Sequence, residues 1–222
     1  MPIEIQKIVA APEEIMESIR SLYEISFPKE ELRPFEQIVG ELSSPSAERR
    51  THMIAALDGE KVLGLSVFVL FPTASLGYLW FLCVDPDTRG LGLGGRLYDA
   101  SVEWLRRDAE ALGVDLSGII FEVERLTTEA HPIYGDPHRR IRFYERLGAR
   151  MIAGYDYHQP PIPPHGPVAL QLMFHPMAGQ TCDSPTLARV VSEFLRLAQG
   201  VEDSLEGCSL GLERLDQRLS SA

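Results

Sequence analysis

Four glycines fall within six residues in the stretch Val84-Asp85-Pro86-Asp87-Thr88-Arg89-Gly90-Leu91-Gly92-Leu93-Gly94-Gly95-Arg96-Leu97. An apolar run from Leu76 to Val84 leads in. Leu93, Leu97, Ala100 and Trp104, at helical spacing, lead out. The segment therefore reads as a strand, a loop and the start of a helix. At such a junction the first helix amides have no partners, and the positive helix end points the same way. Without side chains the backbone approaches an anion closely, and a pyrophosphate is the natural guest. A glycine-rich helix start that bound nothing would lose helix stability with no compensating contact.

Other candidate chemistry is thinner. The segment Arg125 to Arg139 is a candidate lining for an acceptor site and carries His131, Tyr134, Asp136 and His138. Its histidines sit on a loop with proline and glycine, at a spacing that fixes no coordination geometry, so no metal is expected. Glu122 and Glu124 alternate in Phe121-Glu122-Val123-Glu124-Arg125, so they share one strand face, toward a cleft or toward solvent. Tyr155, Tyr157 and His158 lie on a later strand, where cross-strand packing is the ordinary role of tyrosine. Cys83 lies on the run before the glycine loop, and a covalent route through its thiol needs a base that the sequence does not place beside it.

The elements that must position these residues follow from periodicity and turn signals. Residues 3–9 read as a strand, and Pro12-Glu13-Glu14 opens a helix that Pro28 ends. A second helix is expected from about Pro34 to Leu42. Asp58-Gly59-Glu60 turns a hairpin between His52–Leu57 and Lys61–Phe71. The long helix runs from about Gly92 to Leu112, followed by a strand from Leu116 to Val123. A short helix is expected over 140–147, stopped by Gly148, and two strands over 151–158 and 168–174. The proline-rich linker between those strands belongs to neither.

Gly90, Gly92 and Gly95 satisfy the dinucleotide pattern G-x-G-x-x-G, but Pro86 to Arg89 separate the loop from its strand, where that pattern wants direct contact. Arg89, Gly92 and Gly94, after Val-Asp-Pro and before Leu97, instead resemble the Arg-x-x-Gly-x-Gly coenzyme A loop of the GNAT superfamily of N-acetyltransferases. Arg142-Phe143-Tyr144-Glu145-Arg146-Leu147-Gly148-Ala149 resembles that superfamily's late helix, with Ala149 where the family usually has Phe. The order of elements agrees over roughly residues 3 to 175. The resemblance implies an α/β (α+β) fold with a mixed, mostly antiparallel sheet flanked by helices, its fourth and fifth strands splayed around acetyl-CoA. It implies pantetheine contacts from the backbone of Leu82, Cys83 and Val84, and pyrophosphate on the amides of Arg89, Gly90, Leu91, Gly92, Leu93, Gly94 and Gly95. Tyr144 matches the tyrosine beside the sulfur. Phe121 to Arg125 resembles a Leu-Glu-Val-Arg stretch of bacterial acetyltransferases acting on ribosomal-protein N-termini, which makes Glu122 the base. The 125–139 insertion departs from that subfamily.

The resemblance thus implies an acetyl-CoA-dependent N-acetyltransferase acting on a small-molecule or peptide amine by direct attack on the thioester. A non-catalytic acyl-CoA-binding module and, more remotely, a nicotinamide-dependent oxidoreductase are the alternatives. Composition bounds the partners. The 222 residues are 45% hydrophobic and carry a net charge of −11, which disfavours nucleic acid and slightly favours a cationic acceptor. No apolar run approaches a membrane span, and the first residues lack an apolar signal core. Cys83, Cys182 and Cys208 are far apart and match no metal or disulfide pattern, as in a reducing cytoplasm. The expected division is 1–176 for the transferase domain and 177–222 for a helical C-terminal extension. Leu187, Val190, Val191, Phe194 and Leu197, continued by Leu205, Leu210, Leu212, Leu215 and Leu219, give that extension an apolar face to bury on its own domain or in a homodimer.

Overall fold

The computed structural model describes residues 3–126, 132–180, 182–202, 205, 209–215 and 217. In chain order the elements are β1 (Glu4–Lys7), α1 (Glu13–Ser26), α2 (Phe35–Leu42), β2 (Arg50–Asp58), β3 (Lys61–Phe71) and β4 (Leu76–Val84). They continue with α3 (Leu93–Ala111), β5 (Gly118–Glu124), α4 (Pro137–Arg146), β6 (Arg150–Ala153), β7 (His158–Gln159), β8 (Val168–Pro176), α5 (Ser184–Phe194) and β9 (Gly211–Glu213). The strands form one sheet in the order β1-β2-β3-β4-β5-β8-β6-β9, with β7 pairing β8. Among the described residues, only β4 and β5 run parallel. A doubly wound nucleotide-binding sheet is parallel, so the nicotinamide alternative falls with the topology.

Alternation along the strands sorts the core into two faces. Ile54, Ala56, Phe68, Leu79, Phe121 and Val123 pack under α3 and α4. Met53, Ala55, Val67 and Phe81 pack under α1 and α2. Val69, Tyr78, Ile120, Leu170 and Leu172 meet Leu187, Val190, Val191 and Phe194 of α5. The apolar face of α5 is thus buried within its own chain and gives no reason to expect a second subunit.

The site depends on where β4 leaves β5. The two pair only at Leu76↔Gly118, Gly77↔Ile119 and Tyr78↔Ile120. On the other side of β4 the register passes from Phe68↔Leu79 to Val67↔Phe81, leaving Trp80 without a partner. A bulge of this kind bends and twists its strand. Beyond it Leu82, Cys83 and Val84 stay on β3, while Glu122, Val123 and Glu124 stay on β8. The strands open into a V.

Several expectations shift in detail. The helix α4 begins at Pro137 rather than 140, because the Asp136 side chain accepts from the His138 amide at 2.9 Å and Pro137 suits the first turn. The strand expected over 151–158 breaks at Gly154, whose φ is +85° and whose Cβ position lies 2.2 Å from the Ser209 carbonyl oxygen. The extension is not purely helical. The end of α5 loosens into a π turn over Leu195–Gln199, and residues 211–213 form β9 against the edge of β6. Leu210 and Leu212 fit a two-residue period as well as a helical one, and the free edge of β6 decides between them.

Candidate active site

The walls of the V enclose a narrow cleft lined by Tyr78 to Leu82 of β4, Phe121 to Glu124 of β5, and Tyr144 of α4. Glu31 and Arg33, between α1 and α2, Tyr134 and Arg140, and Gln199 complete it. Its free volume of about 50 Å³ is room for a few waters, so its lining groups converge on one small space. The facing edges of β4 and β5 carry amides and carbonyls with no ladder partner across the gap, and such groups need a polar guest.

At the mouth of this V, β4 runs through a short 3₁₀ turn, Pro86–Thr88, into the glycine loop. Gly90 and Gly92 have φ of +90° and +73°, a region that L side chains rarely adopt. Gly92 caps α3, and the first α-helical bond runs from the Arg96 amide to the Gly92 carbonyl at 3.2 Å. The amides of Leu93, Gly94 and Gly95 precede it and have no acceptor within the helix. No side chain caps this helix and no acid lies in its first turn. The other helix starts differ: α1 and α2 carry first-turn glutamates, and Asp136 and Asp183 cap α4 and α5. Arg89, Gly90, Leu91 and Gly92 are exposed, whereas the Leu93 side chain is buried, so Leu93 offers only its amide. Arg96 donates to the Ile3 carbonyl at 3.0 Å and is directed toward β1.

Glu122 and Tyr144 reach the cleft from opposite faces of the sheet. Tyr144 is buried against Phe121, with ring centroids 4.5 Å apart, and burial pushes its hydroxyl up to about 12. Glu122 points the other way. It accepts from Tyr78 Oη at 2.7 Å, Tyr157 Oη at 2.5 Å and Gln199 Nε2 at 3.2 Å. Burial raises its pKa, while these phenols and Arg33 pull in the other direction. Glu124 shares that face and forms an ion pair with Arg140 Nε at 3.3 Å. Tyr157 therefore does more than pack across strands: it holds the carboxylate. His158 and His138 have exposed or intermediate positions outside the cleft lining, and His131 lies outside the described residues. Among the described residues no three His, Cys, Asp or Glu side chains come together as a metal site. Burial pushes the Cys83 thiol up to about 12, and its hydrogen-bond partners, Ser26 and the Leu65 backbone, are not bases.

Glu31, Arg33 and Gln199 have no signal in the sequence. Glu31 and Arg33 sit in the charged stretch Pro28-Lys29-Glu30-Glu31-Leu32-Arg33-Pro34, which reads as a solvated connection. Gln199 belongs to the extension and receives from Arg33 Nη2 at 3.4 Å while donating to Glu122.

The chain belongs to the GNAT family of acetyltransferases, whose family model matches residues 13–149. Solved structures agree on the fold. An acetyltransferase assigned to the GNAT family from Bacteroides thetaiotaomicron is 24% identical with a TM-score of 0.65, over 90% of this chain and 100% of that one. An acetyltransferase from Streptococcus agalactiae is 18% identical with a TM-score of 0.56, over 79% and 98%. Ard1 from Thermoplasma volcanium is 17% identical with a TM-score of 0.52, over 78% and 97%. Comparison with curated proteins found no match. Among the described residues no helix is long and apolar enough to cross a membrane.

Proposed function

We propose that this protein transfers the acetyl group of acetyl-CoA to a primary amine by direct attack on the thioester. The observation that carries this reading is the bulge at Trp80, which opens β4 from β5 just before the strand passes through the glycine loop to a helix start with no side-chain cap. In this reading the amides from Arg89 to Gly95 receive the pyrophosphate, and the open edge at Leu82, Cys83 and Val84 pairs with the amide-rich pantetheine arm. Tyr144, a phenol protonated at neutral pH and held so more firmly by burial, donates to the departing thiolate. Glu122, held by its three donors beside the gap, takes a proton from the attacking nitrogen. The acceptor is a small molecule or a peptide, and a cationic one suits a cleft whose three carboxylates outnumber its two arginines, Arg33 and Arg140.

Mass spectrometry of natively purified protein tests the cofactor. Retained acetyl-CoA or coenzyme A supports the reading; a nicotinamide would sink it. An acetylation screen across polyamines, aminoglycosides and basic peptides tests the reaction. A protein that retains acyl-CoA but acetylates nothing would instead be a binding module.

Tyr144→Phe is expected to lower kcat by about tenfold or more with little change in the KM for acetyl-CoA, since only proton donation is lost. Steady-state kinetics at saturating acceptor check it, and an unchanged kcat removes the acid role. Glu122→Gln is expected to lower kcat by roughly 10² across the neutral range.

A further inference from the structure

Glu31 has no part in the reaction as written above, yet it faces the same cleft. The connection between α1 and α2 brings it there, and Tyr134 Oη donates to its Oε2 at 2.5 Å. Tyr134 is itself clasped: the Arg140 guanidinium lies 3.9 Å from its ring centroid, and its edge meets Phe27 at 6.3 Å. The three cleft carboxylates differ in what occupies them. Glu122 accepts three hydrogen bonds and Glu124 is paired with Arg140. Glu31 takes one phenol, and its Oε1 has no hydrogen bond among the described residues. A carboxylate offers about four lone-pair sites, so Glu31 keeps capacity for an incoming N–H, and among the described residues no ion pair neutralises it, whereas Glu124 is paired with Arg140.

The chemistry leaves a vacancy for such a group. An alkylamine has a pKa of about 10 and arrives as an ammonium ion. It must lose one proton to become a nucleophile and a second once its nitrogen has bonded to the carbonyl carbon. The thiolate takes back only one. We infer that Glu31 is a further catalytic residue, the one that docks the acceptor ammonium and takes its first proton. The amine lone pair then forms the C–N bond as the C–S bond breaks. The second nitrogen proton goes to Glu122 and Tyr144 protonates the sulfur; Glu122 then gives its proton to solvent and Tyr144 regains one from solvent. The proton on Glu31 leaves to solvent, so a net one is released per turnover.

The surroundings suit the task. Burial raises Glu31 to about 7, Glu122 and Glu124 of β5 push the same way, and the Tyr134 hydrogen bond and Arg140 of α4 pull against them. Arg33, on its own connection, also lines the cleft. A base is most effective with a pKa near the working pH. Below about 7 Glu31 holds a proton and cannot accept one, so kcat/KM for the amine should rise with pH through that region.

This inference rests on the transferase reading and is tested with spermidine, kanamycin and a lysine-rich peptide as trial acceptors, the fastest being carried through the series. Expected for Glu31→Gln is a fall in kcat/KM of about 10² at pH 8, loss of the acid limb, and coenzyme A affinity within a few-fold of wild type. Tyr134→Phe removes a hydrogen bond to the charged carboxylate, so the limb should move to higher pH with the plateau kept. Glu122→Gln should lower the plateau and keep the limb, moved somewhat to lower pH because a neighbouring negative charge is lost. An active Glu31→Gln enzyme with the wild-type limb overturns the inference, as does a limb that disappears with Glu122→Gln instead. The transferase reading fails separately, if the wild-type protein supplied with acetyl-CoA acetylates none of these acceptors.

Discussion

Phe194→Ala should lower the melting temperature by about 10 °C and reduce acetylation as well, although residue 194 lies in the C-terminal extension. Phe194 is fully buried, with ring centroids 5.2 Å from Tyr78 and 5.9 Å from Tyr157. Truncating a buried phenylalanine costs about 3–5 kcal/mol. For a chain of this length each kcal/mol shifts the midpoint by roughly 2–4 °C. The same two tyrosines hold Glu122, so the cavity loosens the carboxylate. Phe194→Leu, which fills most of the volume, should recover most of both losses. Calorimetry and kinetics on the three proteins decide. A Phe194→Ala protein with wild-type melting and turnover would show that α5 supports neither core nor site. Stopping the chain near Pro176 should be more severe still, since it also removes Leu187, Val190, Val191 and β9.

Gly94→Glu is expected to weaken coenzyme A binding by a hundredfold or more, about 2.7 kcal/mol. Its Cβ would meet Phe143 at 3.5 Å and Val84 at 3.7 Å, ordinary contacts, so the position tolerates a side chain. A carboxylate there would instead compete for the amides of the first turn and repel pyrophosphate. Gly94→Ala is the control, with the fold and most affinity retained. Gly92→Glu should also abolish binding, but at a φ of +73° the variant adds backbone strain. Titration calorimetry with coenzyme A checks both. Unchanged affinity in folded Gly94→Glu protein would remove the loop from the cofactor site.

The glycine loop and the late helix were legible because their signals are local. A helix start needs its turn residues next to it in the chain, and Gly90 and Gly92 sit at the two positive-φ positions. Alternation in Phe121-Glu122-Val123-Glu124 put both glutamates on one face, and they share it. The mixed sheet with splayed fourth and fifth strands followed from element order and the family resemblance, whereas the placement of β8 between β5 and β6 came only from the structure. By contrast, β9 was read as helix because Leu205, Leu212, Leu215 and Leu219 keep helical spacing, while Leu210 and Leu212 also alternate, and only the open edge of β6 selects the strand.

What the sequence determined by itself is therefore the part of the protein whose causes lie within a few residues: the strand–loop–helix unit, its apolar periodicities, the identity of the groups offered, and through the motifs the family. What only the tertiary structure decided is which of those groups meet. Glu31, Arg33 and Gln199 carry no site signal in the chain, and they join Tyr134, from the 125–139 segment the sequence did single out, as a cleft wall when α1, α4 and α5 close on the splayed strands. The state of Glu122 was equally hidden. Its burial, and the phenols of Tyr78 and Tyr157 that make burial tolerable, come from partners 44 and 35 residues away. Long-range desolvation leaves no local pattern, because the medium around a carboxylate is set by everything that folds over it.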